Sequence, residues 1–272
     1  MADTFSTFDG GIGKDNLYGT SNADVMQGNG GADTLIGNGG DDFIYSSNAQ
    51  DPHGLTDNFG DLLDGGSGND TVMGGNGNDT LIGGAGTNLL DGGNGLDTVL
   101  YTGAPRGDFT LAQKDGNIGV TSVAGGNDKL VGVERLIFSD VGVGYDISGN
   151  AGKVYRLYQA AMHRDPDKGG LGYYIAAADK GASFEDIASA FTHSKEWADL
   201  YGASTTNEQF LTTLYDNALH RAPDPTGMAF WTDVMAKGYS REYVLMEFSE
   251  SAENQAQVIG EIQNGIEYKP FV

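Results

Sequence analysis

The chain has 272 residues, with 38 acidic against 15 basic side chains, a formal charge of −23 and no cysteine. That balance excludes non-specific nucleic-acid binding, because such a surface repels phosphate, and the absence of cysteine excludes disulfide and thiol chemistry. No apolar run approaches the ~20 residues of a membrane-spanning helix, and the 44 glycines point to a fold rich in tight turns.

The N-terminal hundred residues keep a nine-residue clock. Nonapeptides start at Gly10, Gly19, Gly28 and Gly37, then at Gly65, Gly74, Gly83 and Gly92, with GGSGNDTVM, GGNGNDTLI and GGNGLDTVL the clearest copies. Glycine fills positions one, two and four, Asp position six, and a large apolar residue position eight. A unit this short is one rung of a stacked solenoid and not a domain. The six-residue turn needs left-handed backbone that glycine adopts without strain. The three residues after the Asp form a short strand whose middle side chain points inward, giving a thin core of Leu17, Met26, Leu35, Ile44, Leu63, Val72, Leu81, Leu90 and Val99.

In a right-handed roll with two rungs per coil, each turn stacks over the turn two rungs later. Asp15 then lies over Asp33, Asp24 over Asp42, and Asp79 over Asp97, with Asp70 in the same position of its rung. Stacked carboxylates repel unless a cation lies between them. Calcium suits that gap, since it takes six to eight oxygens and mixes carboxylates with backbone carbonyls. The carbonyl donors expected are those of the turns: Gly11, Gly13, Gly31, Gly40, Gly66, Gly68, Gly75, Gly77, Gly84, Gly86, Gly93 and Gly95. Residue choice agrees: residues 1–100 hold 15 Asp, no Glu and one basic residue, Lys14. A merely solvated surface would mix Asp with Glu, and a flexible linker would have no reason to keep an apolar residue at position eight.

The clock slips twice. Residues 46–64 read as two further rungs plus one residue: Ser46 to Gly54, with Asp51 at position six but His53 at the apolar position, and Thr56 to Asp64, with Asp61 and Leu63 in place. The expectation is an unbroken roll with one degraded coil, Leu55 as the extra residue, and Asp61 as a ligand. At Asn88 an amide replaces the carboxylate, which predicts a weakened site, because Asn still offers a carbonyl oxygen.

These repeats resemble the RTX nonapeptide of secreted bacterial proteins. The resemblance implies a parallel β-roll that binds several calcium ions, roughly five to eight. It also implies export by a type I apparatus reading an uncleaved C-terminal signal, with which the tail GIEYKPFV is compatible. The start, MADTFSTFDG, reads as no basic-then-apolar leader. Residues 1–150 carry 21 acids against 5 bases, a charge of −16. Without calcium, glycine entropy and Asp repulsion should keep this half unfolded. Extracellular calcium modules bind at ~10⁻⁴–10⁻³ M, so folding is expected outside the cell.

Residues 101–149 change character: FTLAQ, NIGVTSV and DKLVGVERLIFSD read as longer strands that cap the roll's edge. VERLIFSD resembles the cap that closes RTX rolls. From 150 to 272 the pattern is helical and duplicated at an offset of 57. Leu157, Tyr158, Ala161, His163, Arg164, Pro166, Asp167 and Gly170 match Leu214, Tyr215, Ala218, His220, Arg221, Pro223, Asp224 and Gly227. The units span about 152–200 and 209–258, each of roughly three helices, with Ser183 and Ser240 as N-caps. They resemble an uncharacterised helical domain that follows RTX repeats in bacterial surface proteins. The fold class is therefore multi-domain β plus α: roll, β cap, then a two-unit all-α domain.

Two readings of the paired His-Arg-x-Pro-Asp loops are open. Arg164, Asp167, Arg221 and Asp224, beside Tyr174 and Trp231, could hold sugar hydroxyls by bidentate hydrogen bonds and ring stacking. Alternatively Arg and Asp brace their own turn and the aromatics belong to the core. His163 and His220, one per unit, form no ligand cluster in sequence and read as structural. No GxSxG, HExxH or GxxxxGK[ST] motif is present, so the chain is read as no enzyme. The functional expectation is a secreted, self-assembling structural protein of the bacterial surface or extracellular matrix, a homo-oligomer or polymer. The alternative is a calcium-dependent, glycan-binding adhesin module that contacts surface polysaccharide.

Overall fold

The computed structural model describes residues 5–50, 58–202 and 204–271. The chain divides into two compact units, Met1–Val143 and Gly144–Val272.

In the first unit the short strands alternate between two facing parallel sheets. β1 (Ser6–Asp9), β3 (Asp24–Gln27), β5 (Phe43–Tyr45), β7 (Thr71–Met73) and β9 (Leu89–Asp91) form one sheet. β2 (Asn16–Tyr18), β4 (Thr34–Ile36), β6 (Leu62–Asp64), β8 (Thr80–Ile82) and β10 (Thr98–Tyr101) form the other. Register confirms two rungs per coil: Leu17 pairs with Leu35, Leu35 with Leu63, and Leu63 with Leu81. Across the other face Met26 pairs with Ile44, and Ile44 with Val72. The inward residues from Met26 to Val99 are all fully buried. Leu17 is half-buried, in β2, the outermost described strand of its sheet.

The irregular stretch is not the degraded coil expected from sequence. β4 pairs directly with β6, and β5 with β7, so no rung intervenes between Ile44 and Leu63. The turn starts on register, with Gly28 N–H donating to Tyr45 O and Asn29 N–H to Ser47 O. It rejoins register before Asp61, whose N–H meets the next coil at Asp79. The described strands leave no place in either sheet for a rung from Ser46 to Gly54. A core one side chain wide needs an apolar residue at position eight of each rung, and the sequence has His53 there. Asp51, His53 and Leu55 lie outside the described residues.

The cap extends both sheets. β11 (Phe109–Lys114), β12 (Asn117–Ser122) and β13 (Asn127–Val131) form an antiparallel meander, and β13 joins β9 in parallel. β14 (Arg135–Phe138) joins β10 in parallel, with β15 (Gly142–Gly144) beyond it. Tyr101, Phe109 and Phe138 pack their rings at 4.9–5.5 Å where the roll meets the cap.

Among the described residues the second unit holds eight helices, four per repeat rather than three. α1 (Asn150–Met162), α2 (Lys168–Asp179), α3 (Phe184–Thr192) and α4 (Lys195–Tyr201) recur as α5 (Asn207–Leu219), α6 (Pro225–Ala236), α7 (Arg241–Ser249) and α8 (Ala252–Ile262). Every helix start is displaced by 57. The fourth helix begins at a serine cap, Ser194 or Ser251, whose hydroxyl accepts from the third residue of the helix. Equivalent helices meet across the repeats, α1 against α5 and α3 against α7, and Val154, Leu157, Phe210, Leu214 and Val244 on these helices are fully buried. A short strand, β16 (Ile266–Tyr268), leads into Lys269, whose N–H donates to Lys168 O at the start of α2. No helix among the described residues is long and apolar enough to cross a membrane.

Candidate metal centre

The position-six residues form two continuous ladders. Each amide N–H at that position donates to the side-chain oxygen of the position-six residue one coil on. One ladder runs Asp15 to Asp33 (2.8 Å), Asp33 to Asp61 (2.6 Å), Asp61 to Asp79 (2.8 Å) and Asp79 to Asp97 (2.8 Å). The other runs Asp24 to Asp42 (2.8 Å), Asp42 to Asp70 (2.9 Å) and Asp70 to Asn88 (2.9 Å). Asp and Asn suit this position because their side-chain oxygens sit one carbon from Cβ and so stay in step with their own turn. All but the outermost carboxylate, Asp15, are buried.

In Asp33, Asp42, Asp61, Asp70, Asp79 and Asp97 one oxygen accepts the ladder N–H, whereas Asp15 and Asp24 head the ladders and accept from their own turns, at Gly11 N–H and Thr20 N–H. A Cβ built on Gly10 would stand 2.8 Å from Asp15 Oδ2 and 2.6 Å from Gly28 O. Position one is glycine because the carboxylate and the next coil already fill that space. Ten of the twelve turn glycines named above have left-handed backbone, the exceptions being Gly11 and Gly13. In the rungs starting at Gly28 and Gly37, Asn29 and Asn38 take the left-handed role at position two (φ 75° and 71°). Turns also bond to turns: Gly66 O accepts from Ala85 N–H and Gly75 O from Asn94 N–H. Each of those two carbonyls therefore has one lone pair left for an ion.

The electrostatics fit a cation. The second oxygens of Asp42, Asp70 and Asp97 are buried and accept no hydrogen bond, which is costly for an ionised group. Burial pushes Asp97 up to about 7, with the charges of Glu134 and Asp91 adding and the Asp79 N–H opposing. Burial likewise pushes Asp42 up to about 6, against the Asp24 N–H, with Asp70, Asp24 and Asp41 adding. Asp70 is raised for the same first reason. Among the described residues no three His, Cys, Asp or Glu side chains converge on one point. An ion shell here must therefore be built from one or two carboxylates and turn carbonyls, a donor set that suits calcium and not zinc.

The helical loops are committed elsewhere. Arg164 grips Glu196 with two parallel hydrogen bonds (2.6 and 3.0 Å) and lies over the Tyr158 ring. Arg221 repeats this on Glu253 (2.6 and 2.9 Å) and Tyr215. The arginines hold both glutamates below the ordinary carboxylate range. Asp167 and Asp224 cap α2 and α6 by accepting from Gly170 and Gly227 N–H, while Tyr174 and Trp231 pack on Phe191 and Phe248. The bracing reading describes these residues, with a correction: the main partner of each arginine is the glutamate 32 residues on, not the nearby Asp. These intramolecular contacts leave Arg164, Asp167, Arg221 and Asp224 partly exposed.

Comparison with known families matches both halves. The model of the RTX calcium-binding nonapeptide repeat matches residues 9–44, 18–51 and 64–99. The N-terminal turns are RTX calcium-binding repeats. A domain of unknown function (DUF4214) matches twice, at 148–200 and 188–258, and these are the two helical units. No curated protein matches the chain.

In this RTX roll, Asn88 is more than a weakened carboxylate. Its Oδ1 accepts from Asp70 N–H, so its Nδ2 must take the place of the second oxygen, and it donates to Asp128 Oδ1 (2.9 Å). A donor nitrogen stands where the other rungs present an acceptor. Asp128 and Glu134 end the ladders: they accept from Asn88 N–H (3.0 Å) and Asp97 N–H (2.9 Å). Tyr101 OH closes on Asp128 Oδ2 (2.8 Å). Sequence reading placed neither acid in the site, because the cap has no nonapeptide clock. The signal available was an acid immediately before or within each cap strand that continues the roll.

Proposed function

We propose that this is a secreted calcium-binding structural protein of the bacterial surface or extracellular matrix, which folds on meeting extracellular calcium and then self-assembles. The observation that carries the calcium switch is the pair of carboxylate ladders with buried oxygens left to ligate. Asp15, Asp24, Asp33, Asp42, Asp61, Asp70, Asp79 and Asp97 would hold the ions, with carbonyls of the turn glycines completing each shell. Bound calcium supplies the positive charge that lets these acids stay ionised while buried. RTX repeats are typical of secreted proteins, and calcium outside cells reaches the range such sites need.

What supports assembly is the asymmetry of the roll. Its C-terminal end is covered by the cap strands, whereas β1 and β2 are the outermost described strands of their sheets. Beside them Ile12 and Tyr18 are 98% and 59% exposed. A parallel sheet edge with exposed apolar side chains is a template for a further coil. Light scattering and electron microscopy before and after calcium addition test this. Calcium-dependent filaments or sheets are the expected outcome. A monodisperse monomer at saturating calcium would overturn assembly, and a roll already folded in chelator would overturn the switch.

A further inference from the structure

The two histidines that are 57 residues apart in sequence meet in space. His163 and His220 have ring centres 5.5 Å apart, with their planes at 59°. Both side chains are exposed. Each is the C-cap of its helix, α1 or α5, in left-handed backbone (φ 51° in both). Glycine or Asn would serve such a cap at lower cost. An imidazole in both repeats is thus not explained by capping.

His163 is also oriented for ligation. Its Nδ1 lies 3.3 Å from Asn217 O. A carbonyl oxygen only accepts, so in the neutral imidazole this contact favours the tautomer with the proton on Nδ1 and the lone pair on Nε2. A backbone carbonyl holding one ring nitrogen while the other faces outward is the support that metal-binding histidines commonly have. The spacing agrees. With metal–nitrogen bonds of ~2.0–2.1 Å an ion stands about 3.2 Å from each ring centre, so rings this far apart subtend roughly 120°. Below the pair, Asn217 Nδ2 donates to Tyr201 OH (3.0 Å), and both residues are buried. That fixes the backbone whose carbonyl orients His163.

We infer that His163 and His220 form a two-imidazole site for a borderline divalent transition metal such as copper(II), nickel(II) or zinc(II), separate from calcium and completed by water. Nitrogen ligands favour these ions, whereas the oxygen-lined roll favours calcium. The site joins the two repeats, so an ion there cross-links α1 to α5.

The test uses the full chain at saturating calcium, so that the roll's carboxylates are occupied. Copper(II) is added and followed by electron paramagnetic resonance. The expected result is one copper per chain with coupling to two nitrogens. His163→Asn and His220→Asn each abolish that signal and keep the helical circular dichroism, since Asn tolerates the left-handed cap, while His193→Asn leaves the signal intact. Zinc titration of the wild type followed by imidazole NMR is the second readout, independent of any variant. His163 and His220 should shift together and His193 should not. A wild-type copper spectrum without nitrogen coupling, a signal that survives both single variants, or unmoved His163 and His220 resonances would overturn the site.

Discussion

Replacing Asp97 by Asn separates the two roles a position-six carboxylate plays. The chain already contains the template, because Asn88 keeps its ladder hydrogen bond from Asp70 and turns its amide nitrogen onto Asp128. In Asp97→Asn the new amide oxygen can still accept from Asp79 N–H. The new amide nitrogen has Glu134 in reach, the acid that already takes the Asp97 N–H. The ladder survives, and what disappears is one negative charge and one ligand oxygen. Burial raises the Asp97 carboxyl from 3.8 to about 7. At about 1.36 kcal/mol per pH unit, keeping it ionised above pH 7 without a cation costs the folded roll about 4 kcal/mol. The variant should therefore need less calcium to fold, and at the lowest calcium at which the roll still folds it should be more stable than wild type by up to that amount. It should be less stable at high calcium, because an ion is bound less well.

The assay is unfolding of the β signal at a series of free calcium concentrations. The dependence of stability on the logarithm of calcium reports the ions taken up on folding. The two lines should cross, with the variant's the shallower. At the low-calcium end its advantage should fade as pH drops from 7 toward 3.8: the folded-state value is raised, so the penalty it relieves is complete above 7 and gone below 3.8. Parallel lines, or a variant that is weaker at the low-calcium end too, would refute the reasoning and reduce Asp97 to a hydrogen-bond acceptor.

Three further outcomes are expected. Chelation should abolish the β contribution to far-ultraviolet circular dichroism while the helical contribution persists, since Gly144–Val272 forms its own unit with its own apolar core. Gly66→Ala should cost the roll at least ~1–2 kcal/mol in calcium-saturated thermal unfolding, because φ is +92° there and the new Cβ would meet Asn38 O at 2.5 Å. In the helical unit, Arg164 and Arg221 hold Glu196 and Glu253 below the ordinary glutamate value of 4.5. Their pairing contributes stability that is fully present above 4.5 and is lost as pH falls through the lowered values. Arg221→Lys should weaken that acid dependence, read as a flatter melting temperature against pH, since Lys cannot make the two-pronged contact.

The roll was legible because nine residues is a physical unit: the turn must be glycine, the ligand must be Asp, and the core admits one apolar side chain per rung. Offsets of 18 between stacked acids followed from that alone, and Asp79 over Asp97 appears as written. Legibility failed where the clock had to be counted across irregular chain. Two rungs plus one residue fits 46–64 arithmetically, yet a coil needs buried side chains on both sheets, and His53 offered none. Separations of 28 from Asp33 to Asp61 and from Asp42 to Asp70 join those acids as neighbours in the same stacks, with no coil between them. In the helical half the duplication was plain, but sequence gives a repeat only its spacing and not how its copies face each other. Arg164 finding Glu196 is a contact within one copy, at a separation shared by Arg221 and Glu253, and could have been sought by matching equal offsets. His163 meeting His220 is a contact between copies. It depends on α1 packing against α5 with their C-terminal caps adjacent, a geometry set by which apolar stripes close on each other and therefore absent from any pattern within one repeat.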